Sequence, residues 1–447
     1  MNFKVPAQSR PQIDSPLGYA RATNSYLLRY LILAALGVHL AIFLFVANRI
    51  SSPYSGGGDA TIYINLAQNI SAGRGFTFAG TPTAFRAPLY PLILAKLMAV
   101  WPSEWRLLLR AIQLIITLCT AAACGVLAKK WGGHSHVAFL LALLMPTLLF
   151  FQSEILTESL AAMLIVLWWV CLCESFDRRG HLSTVLAGVF AGLASLERLN
   201  ALPLVFLGAG FIYLVRRDQM RALLLLCSGC LIVAPWIGHN WHAFGRPLYS
   251  THTGFALVEG VLSPTGRGDS GEIAAMRSKL GWYNADIESD AAPPKFRNEL
   301  ALDDQARGLS KDLWTRQPFT SLFRLAAIKL GSFWLSTDQI FDTGTFSRKV
   351  RVLRWGGVGA YWILIALAGI GWFSLVRVGS YTPWVLSAYA VLITILHLPL
   401  TMNTRLRSPL LDPLVAALAA VGVSAIKSGR VRDVFRFNLL ARLNRVP

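Results

Sequence analysis

Long apolar stretches alternate with shorter polar ones along most of this 447-residue chain. A helix needs about 20 mostly apolar residues to cross the hydrocarbon core of a bilayer. The stretches that approach this length are residues 27–48, 106–128, 135–151, 158–174, 182–197, 199–215, 222–238, 353–376, 382–399 and 409–426. The pattern therefore predicts an all-α polytopic membrane protein with about ten transmembrane helices.

Composition supports a membrane protein, because 54% of the residues are hydrophobic and only 15% are charged, with a mean hydropathy of +0.50. In a soluble protein, the net charge of +19 would suggest nucleic-acid binding. In a membrane protein, lysine and arginine collect in cytoplasmic loops instead. Basic residues fall at alternate turns: Lys4, Arg10, Arg21, Arg29, Lys129, Lys130, Arg178, Arg179, Arg216, Arg217, Arg221, Arg377 and several in the C-terminal tail. We therefore expect both termini in the cytoplasm and no nucleic-acid partner.

This orientation divides the chain into segments with different surroundings. We expect a cytoplasmic tail (1–26), a transmembrane core (27–238) with a first outer loop (49–105), a second outer segment (239–352), C-terminal spans (353–426) and a basic cytoplasmic tail (427–447). Each outer part contains an amphipathic stretch typical of a helix lying at the membrane surface, at residues 89–100 and 319–335.

The first outer loop carries an isolated carboxylate, Asp59, directly after three glycines. Apolar residues at helical spacing follow it, which predicts a short amphipathic helix with Asp59 at its N-cap. Gly73 and Gly75 are expected to end this helix. Arg86 follows in a corner that Pro88 and Pro91 make rigid. An N-cap and a surface arginine would explain these residues in isolation.

Other ionisable residues also fall in the outer turns, against the distribution of the basic loops. Glu158 could be an N-terminal carboxylate favoured by the helix dipole, and Glu197 with Arg198 a local ion pair. Arg405 and Arg407 share the last outer loop, where arginine opposes the expected orientation. Such charges on one membrane face are typical of a ligand cavity, and converging arginines suit a phosphate group.

This combination of groups suits one kind of reaction. To move a sugar from a phosphate carrier to a hydroxyl group, a base must accept the hydroxyl proton. The departing phosphate gains negative charge, which fixed cations must stabilise. The phosphate of a lipid carrier lies at the headgroup level, where the sequence places these carboxylates and arginines.

Several short motifs occur in order along the chain. They read Asp59-x-x-x-Tyr63, Gly73-x-Gly75, Arg86-x-Pro-Leu-Tyr90-Pro, Thr157-Glu158, Leu-Glu-Arg198, Pro235-Trp-x-x-x-Asn240, Gly245-Arg-Pro and Arg405-x-Arg407-x-Pro. With these motifs the chain resembles the GT-C class of membrane glycosyltransferases. It is most similar to the bacterial branch related to protein O-mannosyltransferases and the lipid A aminoarabinose transferase.

The resemblance implies a GT-C-like helix bundle in the bacterial inner membrane, with its active site facing the periplasm. The donor would be a polyprenyl-phosphate-linked sugar, and the acceptor a glycan, lipid or protein. Transfer would invert the anomeric centre, with Asp59 as base and Glu158 as a second catalytic carboxylate. The implied substrate-binding residues are Tyr63, Arg86, Tyr90, Arg198, Asn240, Arg405 and Arg407.

Metal binding is left open by the sequence. Many relatives carry an acidic residue directly after the first aspartate, whereas this chain has Ala60, which weakens the case for a two-carboxylate metal site. His239, His242 and His252 follow the seventh span, but their spacing matches no common zinc pattern. We therefore assign no metal ligand and no cofactor, while a divalent metal stays an alternative.

Two other classes of function fit parts of the pattern. A transporter or flippase of lipid-linked glycans would also place arginines in a cavity, but predicts ionisable residues through the middle of the membrane. A non-catalytic membrane scaffold would use the outer segment to bind partners. The substitution Asp59→Asn separates the scaffold from the enzyme, because a scaffold should tolerate it.

Overall fold

The computed structural model describes residues 20–47, 57–78, 80–177, 181–265, 299–335 and 348–429. Most of the two predicted cytoplasmic tails (1–19 and 430–447) lies outside the described residues. The same holds for residues 266–298 and 336–347 of the predicted second outer segment.

The described N-terminal half is helical apart from one short hairpin. Its elements are α1 (Ala20–Ala47), α2 (Gly57–Ser71), strands β1 (Thr77–Phe78) and β2 (Thr81–Pro82), α3 (Leu89–Val100), α4 (Trp105–Lys130), α5 (Ser135–Leu143), α6 (Pro146–Phe151), α7 (Glu158–Asp177), α8 (Leu182–Glu197) and α9 (Pro203–Arg216). The two strands pair antiparallel, with Phe78 opposite Thr81.

The second half, as far as it is described, is also helical. It consists of α10 (Gln219–Phe244), α11 (Thr253–Leu262), α12 (Glu299–Thr315), α13 (Phe319–Leu330), α14 (Arg348–Arg377), α15 (Thr382–His397) and α16 (Thr404–Lys427). A single π-helical turn, Gly331–Leu335, follows α13.

Seven helices of the described chain are long and apolar enough to cross a membrane, with four shorter apolar helices beside them. The predicted fold class, an all-α polytopic membrane protein, is thereby confirmed. The seven comprise parts of α1 and α14, nearly all of α7, and α9 together with the turn Leu199–Ala201 before it; the others are α4, α10 and α16. Fewer than about ten qualify because the predicted span 135–151 breaks before Pro146, where Met145 is extended. Helices α8 and α15 have only 16 residues each.

The centre of the bundle is formed by α7 and α16, the most buried of the long apolar helices. Trp168 and Trp169 of α7 pack against Tyr389 of α15, with ring centroids 5.9 Å and 5.2 Å apart. Helices α8 and α10 approach closely at Gly188, where a Cβ atom would lie 2.4 Å from the carbonyl oxygen of Leu225. A small residue there allows close helix packing, as is common in membranes.

The structure of the first outer loop agrees with most of what the sequence predicts. Helix α2 buries its apolar face, including Leu66 and Ala67, and ends before Gly73, whose φ of 74° is favourable only for glycine. Asp59, however, lies within the first turn of α2 and not at its N-cap. Helix α3 covers residues 89–100, as the sequence predicts.

The described part of the second outer segment packs as a small unit on the end of the bundle. Helices α11 and α12 share a core, and Asp303 of α12 accepts a 2.6 Å hydrogen bond from the amide of Gly254. Helix α13 confirms most of the predicted helix 319–335 and leaves Phe319 and Phe323 exposed. Lys329, fully buried, donates to the carbonyl oxygen of Leu398 at 2.7 Å and so connects α13 to the end of α15.

Candidate active site

Charged residues from five separate segments meet at one end of the bundle. Asp59, Glu158 and Arg405 lie in the first turns of α2, α7 and α16, respectively. Arg198 follows the last residue of α8, and Arg86 lies between β2 and α3. Helix N-termini carry partial positive charge and exposed amide groups, so three of them at one place favour anions.

Arg405 is the central residue of this cluster. Its Nη1 atom lies 2.6 Å from Oδ2 of Asp59, and its Nε atom binds Oε1 of Glu158. The other oxygen of Asp59 binds Nη2 of Arg86. Asn403 positions Arg405 by capping α16, because its side-chain oxygen accepts the amide of Leu406 at 3.0 Å.

Arg198 completes the cluster and binds the same oxygen of Glu158 as Arg405 does. Its Nη1 atom lies 2.9 Å from Oε1 of Glu158 and donates to Oγ1 of Thr157 at 2.8 Å. The local ion pair expected between Glu197 and Arg198 is not among the described contacts, since Arg198 turns toward Glu158. Glu197 is buried, and its carboxylate forms no hydrogen bond with the part of the chain that the structure describes.

Two carboxylates and three guanidinium groups leave one net positive charge at this site. Burial alone would raise the pKa of Asp59, but Arg86 and Arg405 outweigh it and hold that pKa well below its usual range. The side chains of Asp59 and Arg405 are 25% and 31% exposed, whereas that of Glu158 is 1% exposed. A substrate from outside therefore meets Asp59 and Arg405 first.

Aromatic rings form the wall beside Asp59. Tyr63 and Tyr90 contact edge to face with ring centroids 5.3 Å apart. The guanidinium carbon of Arg86 lies 4.4 Å from the ring centroid of Phe85 and 5.9 Å from that of Tyr63. These contacts hold the Arg86 guanidinium group against the rings without using its hydrogen-bond donors.

Several buried hydrogen-bond donors of this site have no partner within the described chain. They are Nε of Arg86, Nε of Arg198 and the hydroxyl group of Tyr90. An unpaired buried donor costs about 1–3 kcal/mol, so a ligand that brings acceptor oxygens would be stabilised here.

A cavity of about 200 Å³ lies next to Tyr90 and Ser159. Its lining is mostly aliphatic, with the polar groups of Tyr90, Gln113 and Ser159 among it: Tyr90, Ile93, Leu109, Ile112, Gln113, Ile116, Leu156, Ser159 and Leu160. The cavity is therefore a mostly apolar space, bordered by the Tyr90 that also packs against Tyr63 in the wall beside Asp59.

Two of the predicted substrate-binding residues lie elsewhere. Arg407 is fully buried, and its Nε atom lies 3.0 Å from Oδ1 of Asp412. The Nη1 atom of Arg407 donates to the carbonyl oxygen of Phe333 at 2.5 Å. Asn240 is also fully buried and donates to the carbonyl oxygen of Leu248 at 3.0 Å. Both side chains hold segments together, because the guanidinium group of Arg407 and the amide nitrogen of Asn240 form bonds inside the protein.

The charged cluster does not fit a metal ion. Both oxygens of Asp59 are bound by arginine, and a cation there would meet three guanidinium groups. Among the described residues, no three histidine, cysteine or acidic side chains group as metal ligands.

Two residues near the site were not placed there by the sequence analysis. The ring of His252, considered there only as a metal ligand, lies 4.3 Å from that of Phe85. Glu299 of α12 accepts a hydrogen bond from the amide of Ala84 at 3.4 Å. Both residues come from the second outer segment, and no local pattern connects them with the first outer loop.

Comparisons with known proteins identify the fold. No protein-family profile and no curated protein sequence matches this chain. A crystal structure of the Archaeoglobus fulgidus oligosaccharyltransferase, in complex with zinc and sulfate, is similar with a TM-score of 0.54 and 16% identity. The match covers 93% of this chain and 51% of that protein, so the chain spans about half its length.

ArnT from Cupriavidus metallidurans is also similar in structure. Bound to undecaprenyl phosphate, it matches with a TM-score of 0.39 and 13% identity over 91% of this chain and 78% of its own. The apo state gives a TM-score of 0.38 and 14% identity over 90% and 77%. Together with the helical architecture, the likeness to the oligosaccharyltransferase shows that this chain has the fold of the GT-C class of membrane glycosyltransferases.

Proposed function

We propose that this protein is an integral membrane glycosyltransferase that takes a sugar from a polyprenyl-phosphate donor. The observation that carries the proposal is Arg405, whose guanidinium group binds both Asp59 and Glu158 at an accessible site. A carboxylate is thus held beside cations that suit a phosphate. The shared fold with a known oligosaccharyltransferase supports a transferase.

The charge of the site suits a phosphodiester. A sugar linked to a lipid through one phosphate carries a single negative charge, which balances the net positive charge of the cluster. Arg86 and Arg405 would bind its free oxygens, and the unpaired Nε of Arg86 provides a further donor. When the sugar leaves, the phosphate gains charge, which these cations stabilise.

Asp59 would act as the base. While two arginines bind its carboxylate, its lowered pKa makes it a weak proton acceptor. A phosphate that competes for Arg86 and Arg405 reduces this effect, so donor binding would itself strengthen the base. The acceptor oxygen then attacks the anomeric carbon, its proton moves to Asp59, and the bond to phosphate breaks. A single displacement of this kind inverts the anomeric centre.

The lipid part of the donor would enter the cavity bordered by Tyr90 and Ser159. The cavity offers aliphatic side chains such as Ile112, Ile116 and Leu160. A prenyl chain buries apolar surface there while its phosphate stays at the arginines. Arg198 would hold Glu158 and Thr157 in place behind the phosphate.

The surroundings follow from the distribution of charge. Lysine and arginine mark the opposite loops as cytoplasmic, which would place the site at the periplasmic face of a bacterial inner membrane. The acceptor there would be a glycan, a lipid or a protein. We assign Arg407 and Asn240 to holding the fold and not to binding phosphate, because both are fully buried in internal contacts.

Binding of polyprenyl phosphate to the purified protein in nanodiscs tests the phosphate site. Charge-assisted hydrogen bonds contribute about 1.5–3 kcal/mol each, so Arg405→Ala should weaken binding at least about tenfold. Arg316→Ala is the matched control, since Arg316 directly follows α12 and its side chain is 82% exposed. Equal affinity of Arg405→Ala and wild type would contradict the proposal.

Sugar release separates the enzyme from a transporter. Wild type should release the sugar of a radiolabelled polyprenyl-phosphate donor when acceptors are supplied. A protein that binds the lipid, moves it across vesicles and leaves the glycosidic bond intact would be a transporter instead.

A further inference from the structure

Glu299 joins three segments that are far apart in the sequence. It is the first residue of α12 and is buried, with 4% of its surface exposed. Its Oε1 atom accepts hydrogen bonds from the amide of Ala84 at 3.4 Å and from the hydroxyl group of Thr251. The hydroxyl group of Thr83 also bonds to its carboxyl group.

The bonded residues surround the loop that carries Arg86. Thr83 and Ala84 are buried and lie just before Phe85, on whose ring the Arg86 guanidinium group rests. The amide of Thr251 donates to the carbonyl oxygen of Ala84 at 3.2 Å. Glu299 therefore accepts hydrogen bonds from Ala84 in the first outer loop and from Thr251 in the second outer segment, at the place where the two pack together.

The geometry points to Glu299 as a positioning residue, whose carboxyl group holds the Arg86 loop so that Arg86 faces Asp59 and the donor phosphate. This inference rests on the proposed function for the phosphate, but its structural part stands without it. Asp59 and Arg86 are bound to each other, so movement of this loop would change the environment of the carboxylate.

A carboxyl group in this position responds to pH near neutrality. Burial raises the pKa of Glu299 to about 7, against the opposing effect of its hydrogen bonds. The ionised form accepts from all its donors, whereas the protonated form must donate one bond. Among the described residues of the packed segments, the other titratable or charged groups include Asp303, Arg307, His252, Glu259 and Arg86, and farther along α12 Asp304, Lys311 and Asp312.

Two variants of Glu299 separate positioning from general stability. Glu299→Gln keeps an oxygen that accepts from Ala84 and Thr251 and an amide that can donate to Thr83, but cannot titrate. Glu299→Ala removes every bond. If Glu299→Ala folds poorly, Thr251→Val can be used instead, because it removes the hydroxyl group that donates to Glu299 and keeps a side chain of similar volume. Thr251→Ser, which retains the hydroxyl group, is its control. Asp304→Asn, on the exposed side of α12, is the matched surface control.

Hydrogen–deuterium exchange of the peptide spanning residues 76–90 measures the loop without any substrate. We expect at least tenfold faster exchange in Glu299→Ala or Thr251→Val, and wild-type exchange in Glu299→Gln and Asp304→Asn. Unchanged exchange in Glu299→Ala and Thr251→Val would overturn the inference. This readout also decides the structural part if wild type fails to bind polyprenyl phosphate, an outcome that refutes the proposed function alone.

Binding of polyprenyl phosphate between pH 6 and 8 tests the effect on the site. Affinity of wild type should fall about two- to fivefold as the pH drops and Glu299 gains its proton. Glu299→Gln should lack this component, and any pH dependence that it keeps belongs to other groups. If the loop loosens in Glu299→Ala while affinity and pH profile match wild type, Glu299 does not position Arg86 and the inference fails.

Discussion

The buried pair of Arg407 and Asp412 offers a sharp test of how the last outer turn is built. We expect Arg407→Met to destabilise the protein strongly while leaving its affinity for polyprenyl phosphate unchanged. Arg407 is fully buried and bonded to Asp412 and to the carbonyl oxygen of Phe333. Its guanidinium carbon also lies 4.3 Å from the ring centroid of Tyr361. The arginine thus connects α16 with α14 and with the turn after α13.

The magnitude follows from the charge left behind. Arg407→Met leaves the carboxylate of Asp412 buried, and within the described part of the chain its remaining hydrogen bond comes from the hydroxyl group of Thr147 at 2.9 Å. Removing one partner of a buried ion pair costs about 3–5 kcal/mol. The double variant Arg407→Met with Asp412→Asn removes both charges and should recover most of this loss. A remainder of about 1–3 kcal/mol is expected, because the carbonyl oxygen of Phe333 loses its donor.

Thermal unfolding in detergent, followed by size-exclusion chromatography, measures these differences. The single variant should melt roughly 5–10 °C below wild type, and the double variant should lie between them. Lipid binding is then compared well below every melting temperature. If Arg407→Met is as stable as wild type but no longer binds polyprenyl phosphate, this reasoning is wrong. Arg407 would then be a phosphate-binding residue, as the sequence predicts.

Three further variants test other contacts of the structure. Glu158→Gln should lower the turnover number about 100-fold, because it weakens the contacts to Arg405 and Arg198; steady-state sugar transfer checks this. Asn240→Ala should cost about 1–2 kcal/mol of stability in thermal melting without changing donor affinity, since Asn240 bonds only to backbone in the described chain. The folded-state pKa of Glu299, about 7, lies above its ordinary value of 4.5, so the folded protein binds the extra proton. Wild type should therefore gain up to roughly 3 kcal/mol over Glu299→Gln as the pH falls from 8 to 4.5, and lose it as the pH rises.

Helix positions were largely readable from the sequence because apolar stretches in a membrane protein have few alternative structures. Residues 89–100 form a helix with the predicted bounds. The break between α5 and α6 is also explained by a local signal, Pro146, whose effect on Met145 a length criterion overlooks. Such features depend on neighbouring residues only.

Arg405 and Arg407 illustrate where local reasoning fails. As residues of a loop they look equivalent, but α16 already begins at Thr404. Residues two positions apart lie on different faces of a helix, so Arg405 reaches Asp59 while Arg407 points into the bundle. The capping residue Asn403 was the signal that could have revealed this.

Contacts between distant segments could not be predicted from the sequence. Glu299 lies 215 positions from Ala84, and Glu158 lies 247 positions from Arg405. No local pattern in the sequence predicts either contact. Arg198 next to Glu197 even favours a wrong pairing, since proximity in sequence suggests a local ion pair. Which carboxylate an arginine binds depends on how the helices pack.

The central claim is that Asp59 acts as the base in sugar transfer from a polyprenyl-phosphate donor. The most direct measurement compares single-turnover transfer by wild type and Asp59→Asn at donor concentrations that saturate both. The account predicts that Asp59→Asn still binds the lipid, because Arg86 and Arg405 remain, while its rate falls about 100- to 10,000-fold. Equal rates at equal donor occupancy would contradict the account.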